Sequence, residues 1–367
     1  MRWCPDARLL PNQPGLIDVG DWFPPRGGRT GSYRAAMTIT TRAAPAGLDP
    51  HAAGALGAWA PLHTLRPPLW RTRLNGDLYS KNTHDYIIRR IRVPLPRPIK
   101  IAVLSLKGGT GKTFNSNGIG ATIGIERTPQ LTALLDVDPD AGTAGEQVGG
   151  DHTHSWYDLL RAASTDLSVL SHPEDWASRT PNNLDVYPAP PDPSLRGRMN
   201  EEFYISLVRV LGNKYWVTVL DSGTGLASNN IQHALVRSAD AVVISTSTDD
   251  IDLAAAVDTR RLLNTMGFGR LGQAATVAVW QRPNRGGVKS PWEIEDDVRT
   301  NHFTCGTDPL TDTREVVVVP HAHNIAGRMG QNPLAAPEPT RAAWRAIAAS
   351  AISAAVERLT GQLLTPP

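Results

Sequence analysis

From Lys100 onward, short apolar runs alternate with longer stretches whose apolar residues recur every three or four positions. The runs predict strands at Ile101–Leu106, Leu131–Val137, Leu184–Pro188, Trp216–Leu220, Ala241–Thr246, Ala275–Trp280 and Val316–Val319. The stretches around them predict helices at about 112–125, 155–163, 200–212, 227–237, 249–266, 291–300 and 338–360. Several runs are apolar at almost every position, the pattern of strands covered on both faces. Strand–helix alternation of this kind predicts an α/β fold with a doubly wound, mostly parallel sheet. In the last helix, Trp344, Ile347, Ala348, Ala351, Ile352, Ala355 and Leu359 form one stripe expected to face the core.

The front of the chain reads differently. Residues 1 to about 60 are rich in Pro, Gly, Ala and Arg and show no sustained period, so extended or loosely ordered chain is expected. Between Leu69 and Arg92, apolar anchors return at Trp70, Leu74, Leu78, Tyr86, Ile87, Ile88 and Ile91. Pro94, Pro96 and Pro98 then end any helix and hand over to the first strand. The expected organisation is a basic, Pro/Arg-rich extension and lead-in over residues 1–95, followed by one α/β domain over residues 96–367. Charge follows the same division. Residues 1–100 hold 15 Lys and Arg against 6 Asp and no Glu, whereas the remainder carries a net charge of −7. A basic front of this kind suits nucleic acid or an acidic partner, or is a solvated tail.

Composition narrows the classes. No apolar run approaches the ~20 residues of a membrane-spanning helix, and Pro, Asp and Arg interrupt the N-terminus where a signal peptide would be apolar. Cys4 and Cys305 lie far apart and suggest neither a disulfide framework nor a zinc site, so a reducing cytoplasm is expected. His152 with His154, and His321 with His323, are spaced as pairs, but no further ligands are evident near them.

Chemistry concentrates at Leu106-Lys107-Gly108-Gly109-Thr110-Gly111-Lys112-Thr113, between the first strand and the first helix of the domain. A Gly-rich turn opening a helix points backbone N–H groups and the helix's positive end at phosphate oxygens. Gly108, Gly109, Thr110 and Gly111 would form the cradle, Lys112 would reach the β- and γ-phosphates, and the Thr113 hydroxyl would sit on Mg²⁺. A P-loop ordinarily has glycine where Leu106 stands here, and a second lysine, Lys107, opens this loop instead. Two carboxylate motifs follow in order. Asp136 and Asp138 emerge from the second strand on one side, placed to hold metal-bound water and to orient an attacking water. Asp221 ends the apolar strand Trp216–Leu220 and would accept from Thr113 or from magnesium-bound water.

This Lys-Gly-Gly-x-Gly-Lys-Thr loop, followed by Asp136-Val137-Asp138-Pro139 and Asp221-Ser222-Gly223, resembles the deviant Walker A, P-loop ATPases of the ParA/MinD family over about residues 87–360. The resemblance implies ATP and Mg²⁺ as cofactors and an ATP-dependent homodimer in which Lys107 touches phosphates held by the other subunit. It implies that Lys112 and Asp138 are catalytic with Lys107, Asp138 positioning the attacking water. Thr113 and Asp221, with Asp136 outside them, would serve the metal. Slow hydrolysis would then act as a timer. The resemblance is nearest to the members found with actinobacterial type VII secretion loci, through Asp138-Pro139-Asp140-Ala141-Gly142-Thr143, Asp221-Ser222-Gly223-Thr224-Gly225-Leu226 and Thr340-Arg341-Ala342-Ala343.

Phe114 replaces a frequent second Thr beside the α-phosphate, and Gln281 stands where relatives place an Asn that reads adenine. Pro320 ends the late strand whose following loop flanks the base in that family. Partition relatives hold DNA nonspecifically, and candidate contacts here are Arg260, Arg261, Arg341, Arg345 and Arg358, with Arg89, Arg90, Arg92 and Arg97 in the lead-in. The alternative is a regulatory or assembly ATPase of a secretion apparatus that binds proteins through the Pro-rich arm. A stimulating partner protein fits either role. A stable membrane anchor is not expected, because the last helix is Ala-rich.

Overall fold

The computed structural model describes residues 16–18, 36–38, 81–138, 142–148, 154–196, 200–223, 230–282, 290–303, 315–322 and 332–361. Near the N-terminus, β1 (Leu16–Asp18) and β2 (Ala36–Thr38) pair antiparallel. The remaining strands are β3 (Ile99–Leu104), β4 (Thr132–Val137), β5 (Ser178–Arg179), β6 (Leu184–Tyr187), β7 (Val217–Ser222), β8 (Ala241–Ser247), β9 (Thr276–Trp280) and β10 (Glu315–Val319). They form one sheet in the order β10-β9-β8-β3-β7-β4-β6-β5, parallel except at the β5 edge. The helices are α1 (Lys81–Ile91), α2 (Lys112–Glu126), α3 (Ala144–Val148), α4 (Trp156–Ala163), α5 (Pro193–Arg196), α6 (Glu201–Lys214), α7 (Asn230–Ser238), α8 (Asp250–Thr265), α9 (Gly269–Gln273), α10 (Pro291–Val298) and α11 (Glu338–Thr360).

The seven predicted strands all form. The small edge strand β5 and the short helices α3, α5 and α9 carry too few residues for a period to show. The helix expected to run to about 300 stops at Val298 and continues as a π turn over Arg299–Phe303.

Alternation along each strand sends neighbouring residues to opposite faces. Ile99, Ile101 and Val103 of β3 join the core under α1, α2 and α11, whereas Ala102 and Leu104 join the core on the other face with α4, α6, α7 and α8. Helix starts follow local chemistry. Ser155 and Asp158 make a reciprocal capping box at α4, Ser290 and Glu293 do so at α10, and the Asn200 side chain caps α6.

The last helix is buried on more than the expected single stripe. Ala342, Ala346, Ala349 and Ser353 are buried along with Trp344, Ile347 and Ile352, because α1 covers the side of α11 turned away from the sheet. Ile87 and Ile91 of α1 join that core, and Arg90 donates from Nε to Ser353 Oγ at 2.8 Å. Arg127, at the end of α2, donates to the carbonyls of Ile91 and Val93, tying the chain between α1 and β3 to the domain.

Candidate functional site

The loop from Ser105 to Gly111 leaves the carboxyl end of the central strand β3 and enters α2. Gly109 and Gly111 have φ of 75° and 80°, the left-handed region that glycine enters without strain. Gly111 is also the residue from which α2 starts, and an added Cβ there would meet the Trp280 side chain at 3.5 Å. The loop is braced from below: Ser245 Oγ donates to the Thr110 carbonyl at 2.9 Å, and Asn115 Nδ2 donates to Ser245 Oγ at 2.9 Å. Lys112 is buried and its Nζ donates to the Lys107 carbonyl at 3.4 Å, so the ammonium already turns into the cradle.

The sheet order places β7 between β3 and β4, which brings the ends of all three strands to the start of α2. Asp136 and Asp221 are register partners on β4 and β7, and both are fully buried. Asp136 accepts from the backbone N–H of Asp138 at 3.1 Å and of Ala144 at 3.0 Å. Gly142 belongs to the same wall, since a Cβ there would come within 2.8 Å of both Asp136 carboxyl oxygens. Burial, reinforced by the Asp221 charge, pushes the Asp136 carboxyl up to about 8. Burial also raises the Asp221 carboxyl, against the Thr113 and Ser116 hydroxyls and the Lys112 ammonium, which favour its charged form.

Ser116 Oγ donates to Asp221 Oδ1 at 2.8 Å, while Asp221 Oδ2 is buried with no hydrogen-bond partner among the described residues. Two buried carboxyls side by side, one oxygen orphaned, and a threonine hydroxyl beside them make an oxygen donor set that fits a divalent cation. Asp138 is half-buried and its charge reaches Asp221. Pro139, Asp140 and Ala141 lie outside the described residues, as do Thr224, Gly225 and Leu226.

Lys107 does not point at the cradle. Its Nζ lies 2.5 Å from Oδ1 of Asp252, a buried carboxylate in the first turn of α8. Asp252 also accepts from Ser247 Oγ at 2.5 Å and from Arg282 Nη2 at 3.0 Å. These hydrogen bonds and the Lys107 and Arg282 charges together hold its carboxyl below the ordinary range despite burial.

On the other side of the loop, Phe114 packs edge-on against Trp344 at 5.0 Å and lies 6.3 Å from Trp280. Gln281 and Pro320 directly follow the register pair Trp280–Val319, so they stand together at the sheet's carboxyl edge. His321 stacks near Trp280 at 5.7 Å, and His323 lies outside the described residues. No group of three or more His, Cys, Asp and Glu residues placed to hold a metal by themselves occurs among the described residues. Cys4 and Cys305 are outside them.

The structure thus brings Gly108 to Thr113, Asp136, Asp138 and Asp221 to one end of the sheet, with Phe114, Gln281 and Pro320 at its flank. Ser116, one helical turn beyond Thr113, joins them and carries no motif of its own in the sequence. Asp252 and Arg282 left no local signal, because each meets the loop across a long stretch of chain.

Most of the arginines offered as DNA contacts are buried or have partners within the chain, while Arg89 is exposed. Arg260 is buried, donates to the Gly272 carbonyl at 3.0 Å and lies over the Phe303 ring. Arg90 is buried against Ser353. Arg92 pairs with Glu126, Arg97 with Asp240, Arg261 with Asp258, and Arg341 and Arg345 with Glu338, while Arg358 donates to the Ala239 carbonyl. Among the described residues no helix is long and apolar enough to cross a membrane.

No family model matches the chain. Over 257 residues, 70% of its length, it is 28% identical to the ESX-1 secretion-associated protein EspI of Mycobacterium tuberculosis, and it spans only 36% of that relative. Among solved structures, the ParA family ATPase of Chlorobium tepidum matches with a TM-score of 0.53 and 16% identity, covering 69% of this chain and 98% of that one. The septum site-determining protein MinD of Pyrococcus horikoshii, complexed with Mg-ADP, matches with a TM-score of 0.51 and 17% identity, covering 68% and 94%. A parallel sheet centred on β3, a lysine-opened phosphate loop at its carboxyl end and these neighbours together give the chain the fold of the MinD and ParA ATPases.

Proposed function

We propose that this chain is an ATP-dependent switch ATPase that closes into a homodimer around Mg-ATP and opens again after slow hydrolysis. The observation that supports it most is the buried Asp136–Asp221 pair facing the first turn of α2, directly beside a phosphate loop with two left-handed glycines. The backbone of Gly108 to Thr113 would hold the phosphates, with Lys112 as their fixed cation. Thr113 and Asp221 would hold the magnesium ion, with Asp136 behind them, and the ion would supply charge neutralisation on the phosphoryl oxygens. Asp138, half-buried at the mouth of this pair, would orient the attacking water. Phe114, Gln281 and Pro320 would line the base end.

The dimer reading rests on Lys107 and its surroundings. Within one subunit its ammonium is held by Asp252 while the side chain stays 41% exposed, and Ile251, the residue before Asp252 on α8, is 72% exposed. A part-exposed cation at the start of α8, where Ile251 is also exposed, suits a face that meets a second copy, where Lys107 would stabilise phosphate charge across the interface.

For the work that the switch does, secretion-linked assembly has more support than DNA partition. The likeness to EspI covers 70% of this chain, and most of the arginines offered for DNA are buried or paired within the chain. The Pro-rich arm would supply the contact with a partner protein, and a cytoplasmic site of action fits this role.

The test is the light-scattering mass of an Asp138→Ala chain with and without Mg-ATP. A monomer that becomes a dimer only with Mg-ATP supports the switch. An unchanged mass with ATP demonstrably bound overturns it.

A further inference from the structure

Asp252 holds more cationic charge than one ion pair requires. Lys107 approaches its Oδ1 at 2.5 Å, and Arg282 approaches its Oδ2 at 3.0 Å. The two cations are held very differently. Arg282 is fixed from three directions: Nη1 lies 2.8 Å from Asp249 Oδ2, Nη2 donates to the Gly109 carbonyl at 3.1 Å, and the guanidinium lies 5.9 Å from the Trp280 ring centre. The Lys107 ammonium has one carboxylate, and its side chain has the larger exposure, 41% against 35%. It is therefore the cation that is free to go.

What opposes its departure is the buried charge left behind. Asp252 has no exposed side-chain surface, and a buried carboxylate stripped of its cation is strongly disfavoured. Lys107 and Arg282 together balance Asp249 and Asp252. With Arg282 present, loss of Lys107 leaves Asp252 still paired and still accepting from Ser247. With Arg282 absent, Asp252 would keep only the neutral Ser247 hydroxyl. It would then grip Lys107 as its sole cation.

We propose that Arg282 is a positioning residue for Lys107, a resident cation that stays on Asp252 and so releases Lys107 toward the phosphates of a facing subunit. This rests on the proposed role of Lys107 across a dimer. The same contacts give Arg282 a second consequence: its bond to the Gly109 carbonyl fastens the phosphate loop to α8 whether or not Lys107 is docked.

The experiment uses the full chain carrying Asp138→Ala, and measures the dimer dissociation constant by light scattering at saturating Mg-ATP, so that nucleotide affinity does not enter. Adding R282Q should weaken the dimer about tenfold, the scale expected when a partly screened buried ion pair must be broken. R282K, which keeps the charge, should stay within about threefold of the parent. In a D252N background Lys107 has no carboxylate to leave, so R282Q should then have little further effect, a non-additivity that loss of packing alone does not produce. A parent-like dimer in R282Q, a full R282Q defect in the D252N background, or an R282K chain as weak as R282Q would each overturn the role of Arg282 while leaving the dimer switch standing. Failure of the Asp138→Ala parent itself to dimerise would remove both.

Discussion

Asp136 and Asp221 face one another from paired positions on adjacent parallel strands, fully buried, with their side chains on the same side of the sheet. Burial and the Asp221 charge keep the Asp136 carboxyl protonated up to about 8. Its folded value lies above its unfolded one, so the folded chain binds the extra proton. Its contribution to stability is complete below the ordinary carboxylate range and is lost as pH rises through about 8. The metal-free chain should therefore melt at progressively lower temperature over that window, and Asp136→Asn should flatten the slope. Magnesium competes with the same proton, so its stabilising shift should grow with pH. Thermal unfolding across pH, with and without Mg²⁺, reads both; a parent curve as flat as that of the Asn variant would refute the assignment.

Ser116 donates to Asp221 from one turn inside α2. Ser116→Ala leaves that buried carboxylate oxygen without its hydroxyl and should cost about 1–3 kcal/mol. Urea unfolding measures the loss. Magnesium affinity should fall as well, because the carboxylate is no longer held in place; a variant of unchanged stability and unchanged affinity would show that the hydroxyl does neither.

Gly118 lies beneath Trp344, whose ring atoms come within 2.0 Å of where a Cβ would stand. Trp344 is fully buried and donates from Nε1 to Asn115 Oδ1, so it has no free direction in which to move. Gly118→Ala should destabilise the chain by about 1–3 kcal/mol despite alanine's better helix propensity. A melting temperature equal to or above the parent's would mean that α11 tolerates displacement from α2.

Helix α1 closes the outer side of α11. A chain lacking residues 1–80 is the reference. Extending the deletion through residue 96 strips away Ile87, Ile91, Val93 and Leu95, all buried, and should cost on the order of 5 kcal/mol. Urea unfolding of the two truncations compares them directly. Equal stability would show that the lead-in is dispensable.

Direct DNA binding should be weak in the Mg-ATP-bound Asp138→Ala chain. Most of the candidate arginines have intramolecular partners, and a phosphate contact at those would first have to break one. Fluorescence anisotropy with a duplex at two salt concentrations is the measurement. Tight, steeply salt-dependent binding would restore the partition reading.

By itself, the sequence determined whatever depends on near neighbours in the chain. Period and composition located all seven main strands, because a strand buried on both faces must be apolar along its whole length. The spacing of Lys107, Gly109, Gly111, Lys112 and Thr113 located the cradle, because a loop that turns its N–H groups inward needs glycine at positive φ. Asp136 and Asp221 were visible as carboxylates ending apolar runs. Only the tertiary structure decided how these pieces meet. That β7 inserts between β3 and β4, making Asp136 and Asp221 partners, is a matter of strand order, which no local pattern encodes. That Lys107 rests on Asp252, and that Arg282 shares the same carboxylate, depends on segments joined across much of the domain. That Arg90 and Arg260 are buried and Arg97 is paired with Asp240 follows from the same cause: a charge has no fixed meaning until folding supplies its surroundings, and these come from far along the chain.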